Sequence, residues 1–144
     1  MKKIDSLSKR IAIGKLVGLF IGGVGFIALP WFAPNLQPMV RWGFLLWHST
    51  IGAFIGIFGI YTHHPVLNLP LPWWFRSSVV GAWMNFLLVL FAYEKMLEIT
   101  IALFGPDSIF QSPFWFCAEG ALVGVLIGGI LTWLFGEGRS LVNA

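Results

Sequence analysis

Four stretches, each close to the ~20 residues a helix needs to cross a bilayer, nearly free of charge and set apart by proline-rich or polar segments, leave this chain few ways to fold. They run over about 11–29, 40–61, 77–93 and 114–135. A helix rising ~1.5 Å per residue covers ~30 Å of hydrocarbon in such a length. None of the stretches alternates polar with apolar residues as a half-buried strand does, and in lipid every backbone group must be paired internally. The expectation is an all-α, polytopic integral membrane protein. It forms a single domain over 1–144, with four transmembrane helices in a Gly-rich, tightly packed bundle joined by short loops.

Composition removes the main competitor. Hydrophobic residues make up 58% of the chain and charged ones 10%, where soluble domains carry about a quarter charged residues. A soluble protein of 144 residues has no single core able to hide so much apolar surface. The net charge of +3 does not suggest nucleic acid as a partner, because the basic residues form no face interleaved with aromatics. Lys2, Lys3, Lys9, Arg10 and Lys15 instead crowd the start of the first apolar run, where basic residues act as a topological signal. That run is uncharged from Leu16 to Val40, longer than the ~7–15 residues of a signal-peptide core, and is read as an uncleaved span. Its helix is expected to stop at Pro30, followed by the segment PWFAPNLQP.

The basic residues also set an expected orientation. Arg76 lies between the second and third spans and Arg139 follows the fourth, on the same side as the N-terminal cluster. Arg41, Lys95 and Asp107 fall on the other side. Both termini are therefore expected in the cytoplasm, in the inner (plasma) membrane of a cell, with the second and fourth spans parallel.

Glycines recur at intervals that put them on one helix face: Gly14, Gly18 and Gly22; Gly52, Gly56 and Gly59; Gly120, Gly124 and Gly128. Gly81, Asn85 and Ala92 make a weaker stripe in the third span. Small residues so spaced let helix backbones come close, the usual basis of helix association in lipid. Whether the partner helix belongs to the same chain or to another is open at this point. GKLVGLFIGG from Gly14 resembles GALVGVLIGG from Gly120, as would suit an inverted repeat, but the second and third spans show no match. Convergence on a packing pattern is the simpler reading, and the shorter echo between GAFIG at Gly52 and GALVG at Gly120 is no stronger.

Ionisable groups inside a span are costly and point to function. Glu94, Lys95 and Glu98 fall ~27 Å or more along a helix from Arg76 and are read as a solvated helix end. His48 and Glu119 lie deeper, ~10 Å and ~8 Å from the expected outer surface on parallel helices. The expectation is one intramembrane polar site formed by His48 and Glu119, with Thr50 or Asn85 nearby. Such a pair can relay protons, bind a cation, accept a hydrogen bond from a quinone, or simply link helices. His63 and His64, side by side before Pro65, have no third ligand near them in sequence, so neither a metal nor another cofactor is expected. Cys117 is read as a small core residue.

No HExxH, P-loop, nucleophile elbow or paired catalytic carboxylates occur, and an enzyme is not expected. Two classes remain. One is a non-catalytic packing or assembly subunit that binds other membrane proteins through its glycine grooves and aromatic flanks. The other is a homo-oligomeric small channel or carrier for an ion or small solute, with His48 and Glu119 in its outer half. Besides the lipid bilayer, the expected partners are other membrane proteins or copies of the chain itself.

Overall fold

The computed structural model describes residues 6–142. It is all-helical, with no strand among the described residues and a lone bridge pairing His63 with Pro70. In chain order the α-helices are α1 (Ser6–Phe32), α2 (Pro38–Phe58), α3 (Trp73–Phe91), α4 (Tyr93–Phe104) and α5 (Trp115–Phe135). A 3₁₀ turn, Arg139–Leu141, closes the chain's described part.

By length and composition α1, α3 and α5 qualify as membrane spans. The 21-residue α2 is of the same length as α5, but Arg41, His48, Ser49 and Thr50 lower its hydropathy. It nevertheless lies flat against α1 along its whole length. Gly14 faces the Gly52 carbonyl, Gly18 that of His48, Gly22 that of Leu45, and Gly56 the backbone at Ile11, so the two helices are antiparallel. The second hairpin is built alike. Gly81 and Gly120 face each other's carbonyls, while Gly124 and Gly128 pack against Ser77, so α3 and α5 are antiparallel too. The glycine stripes are thus occupied within the chain. Of the two sequence echoes, the shorter has a structural counterpart: Gly52 and Gly120 hold matching places in the two hairpins.

The hairpins meet on branched aliphatic side chains. Ile51 and Ile55 of α2 pack with Val123, Ile127 and Leu131 of α5, flanked by Val17 and Ile21 of α1. A second cluster, Leu29, Ala33, Leu36, Val89, Met96 and Ile99, seals the end expected to face outward.

Several boundaries differ from the sequence reading. Pro30 lies inside α1, which continues to Phe32. Proline removes the hydrogen bond that would end on the Phe26 carbonyl. Arg41 Nε donates to that carbonyl instead, at 3.0 Å, and its guanidinium sits 4.3 Å from the Phe26 ring centre. Trp73, Trp74 and Arg76, read as connecting segment, form the first turn of α3. α2 ends at Phe58 rather than near position 61. Glu94, Lys95 and Glu98 do not extend the third span: the backbone breaks at Ala92 (φ −128°, ψ 36°) and restarts as α4. That helix is amphipathic, burying Met96, Ile99 and Thr100, and Thr100 Oγ1 donates to the Gln111 carbonyl at 2.6 Å.

Candidate functional site

The two hairpins share one polar cluster, in which His48, Glu119 and Asn85 come together. His48 is the middle residue of α2, ten residues from each end (48 − 38 and 58 − 48), hence ~15 Å along the helix from either. Glu119 is in the second turn of α5, and Asn85 lies in the last third of α3. The site is therefore deeper along α2 than the sequence placed it, because α2 begins at Pro38.

The hydrogen bonds fix most of the protons. His48 Nδ1 is 2.9 Å from the Phe44 carbonyl, which only accepts, so Nδ1 carries a hydrogen. His48 Nε2 lies 3.2 Å from Glu119 Oε1. Asn85 Nδ2 donates to Glu119 Oε2 and, at 2.8 Å, to the Phe116 carbonyl. The indole Nε1 of Trp47 donates to Asn85 Oδ1 at 3.0 Å. An indole N–H can only donate, so the asparagine amide is locked in this orientation. Hence one proton belongs between His48 and Glu119. The pair is either imidazolium with carboxylate, or neutral imidazole with carboxylic acid. His48 is 2% exposed whereas the Glu119 side chain is 39% exposed, so the open end of the pair is the carboxyl group.

Thr50 is not part of this cluster: its hydroxyl donates to the Leu46 carbonyl of its own helix at 2.9 Å, on an exposed face. Trp47 is the member sequence reasoning missed. Its signal was an indole N–H in the middle of an apolar run, which needs an acceptor. His63 and His64 sit in the α2–α3 loop, where His64 Nδ1 accepts from the backbone N–H groups of Val66 and Leu67 at 3.2 and 3.1 Å. Lys95 pairs with Glu98 at 3.1 Å on α4, and Cys117 is half-buried with no polar partner in this cluster. Among the described residues no three of His, Cys, Asp and Glu come together as a metal-binding group.

Two buried arginines were also missed, having been counted only as topological signals. Arg10 is completely buried, its guanidinium donating to the Gly136 carbonyl and, at 3.3 Å, to Thr132 Oγ1 at the end of α5. Arg76 is 5% exposed and donates to the Tyr61 carbonyl beyond α2, to the Leu71 carbonyl at 3.0 Å, and to Glu137 Oε2 at 2.7 Å. Each hairpin thus sends an arginine across to the other: Arg10 to the C-terminal end of α5, where the helix dipole favours a cation, and Arg76 to the loop just beyond α2. Gly59 is part of this arrangement, since a side chain there would run into Arg10. The spacing 10, 14, 18, 22 was the available clue: Arg10 is in line with the α1 glycines.

Comparison with protein-family models, with curated proteins and with solved structures finds no match to this chain.

Proposed function

We propose that this protein is a small membrane carrier or channel for a proton, or for a cation in its place, with His48 and Glu119 as the binding site. In this reading α2 crosses the bilayer beside the other three long helices, both termini lie in the cytoplasm, and the inner (plasma) membrane holds the protein. The observation that carries it is the approach of His48 Nε2 to within 3.2 Å of Glu119 Oε1, where two separately interlocked hairpins meet; a pair so placed shares one exchangeable proton. A protonatable pair at that depth is expensive in lipid, which is the physical reason to assign it work. Aliphatic faces sliding past one another are a means by which the open carboxyl group would change sides.

The experiment is flux in liposomes containing the purified protein, driven by a pH gradient and read with an internal pH dye. E119Q should reduce the flux to the level of empty liposomes while eluting like the unmodified protein. Equal flux in E119Q, or none in the unmodified protein, ends this reading.

The runner-up is a non-catalytic assembly subunit, favoured by the saturation of the cluster: both Asn85 amide hydrogens, its oxygen and both Glu119 oxygens have partners. Trp31, Phe91 and Trp133, each more than four-fifths exposed, would then contact a different membrane protein. Recovery with another polypeptide in mild detergent is its test. In neither reading is the protein an enzyme.

A further inference from the structure

Two cavities lie side by side at the end of the bundle where α2 finishes and α3 begins. One, of about 610 Å³, is lined by Thr62, His63, His64, Asn68 and Arg139 among others. The second, of about 560 Å³, is lined by Ile57, Phe58, Leu71 and Arg76, and shares Tyr61, His64 and Pro65 with the first. The first is of mixed polarity and has no carboxylate in its wall among the described residues; the second is mainly apolar. Arg76, the one charged residue in the apolar cavity, is already matched by Glu137. Among the described residues that line the polar cavity, Arg139 is the one with a permanent charge.

The direction of this gradient matters. Ile57 and Phe58 belong to the last turn of α2, whereas His63 and His64 lie beyond its end, so polarity increases outward from the span. His64 joins the halves. Its Nδ1 accepts two backbone N–H groups, so a neutral ring carries its hydrogen on Nε2 and presents a donor at the junction. We propose that the joined cavities bind one phospholipid with an anionic head group: the phosphate against Arg139, His63 and His64, and an acyl chain along Ile57, Phe58 and Leu71. Guanidinium and imidazole donors suit phosphate oxygens, and an apolar trough directly beneath them suits a molecule with a tail. The two adjacent histidines thereby gain a ligand.

The test is native mass spectrometry of the full chain, released from nanodiscs of phosphatidylcholine alone or mixed equally with phosphatidylglycerol. The unmodified protein should retain one phosphatidylglycerol in preference to phosphatidylcholine. R139Q, a change at an exposed position, should lower that retention about tenfold and reduce the preference over phosphatidylcholine, as loss of a charge-assisted contact implies. H63N should lower it further, with the loop fold reported by an unchanged elution profile. Equal retention of the two lipids, or phosphatidylglycerol retention unaffected by R139Q, overturns the proposal. So does stabilisation by inorganic phosphate as large as that by short-chain phosphatidylglycerol, which would leave a free-anion site without a tail.

Discussion

The carbonyl of Phe44 and the amide of Asn85 between them leave His48 and Glu119 one proton to divide, and this makes the two substitutions of Glu119 distinguishable. Glutamine keeps the shape: its oxygen accepts from Asn85 and its NH₂ donates to the Nε2 lone pair of a neutral His48. E119Q should therefore unfold within about 1 kcal/mol of the unmodified protein. Leucine leaves a buried Asn85 hydrogen and a buried imidazole nitrogen unpaired, and E119L should be less stable by about 2–5 kcal/mol. Thermal unfolding in detergent separates the two. If E119Q is as damaging as E119L, the cluster does not have the proton arrangement derived above. The sequence reveals His48 and Glu119 because a charged group within an apolar run stands out. Thr50 and Trp47 show the limit of that signal: a place on the helix does not say where a polar atom reaches, and one turns its hydroxyl back to its own backbone while the other's indole crosses to α3.

Among the helices, the glycine stripes were legible and their partners were not, since small-residue spacing marks a face without naming what lies opposite. Gly81 meets the Gly120 carbonyl, whereas Gly43, also within a helix, has nothing within 4 Å of the position a Cβ would take. G81A should force α3 and α5 apart and destabilise the protein by at least about 1–3 kcal/mol. G43A should be neutral or stabilising by up to about 1 kcal/mol, since alanine is the better helix former. Detergent melting curves of the two variants provide the comparison, and equal melting temperatures would contradict the packing described. Element ends were harder to read. Pro30 signals a stop, yet the helix continues, and Arg41, folding back from the next helix, satisfies the carbonyl that the proline leaves free. The break at Ala92 has no glycine or proline to announce it; the charges that follow it read equally well as a frayed helix end or as the polar face of a new helix.

At the scale of the whole molecule, two hairpins are held together by aliphatic contacts and by crossed arginines. Divided between Val66 and Leu67 at an exposed loop and coexpressed, the two pieces should copurify. R10Q combined with R76Q should reduce that recovery at least tenfold, because each arginine bonds across the division and each such bond contributes about 1.5–3 kcal/mol. Pieces that fail to copurify, or that copurify regardless of the arginines, would mean that the crossed contacts are not what joins the halves. The crossing also has a consequence for biogenesis. Arg10 is synthesised before its acceptor, since the carbonyl it binds belongs to Gly136, 126 residues later. Until α5 is inserted, the first helix carries an unmatched cation at the membrane's edge. A chain that stops short of α5 therefore leaves the Arg10 guanidinium without either acceptor it has in the folded protein.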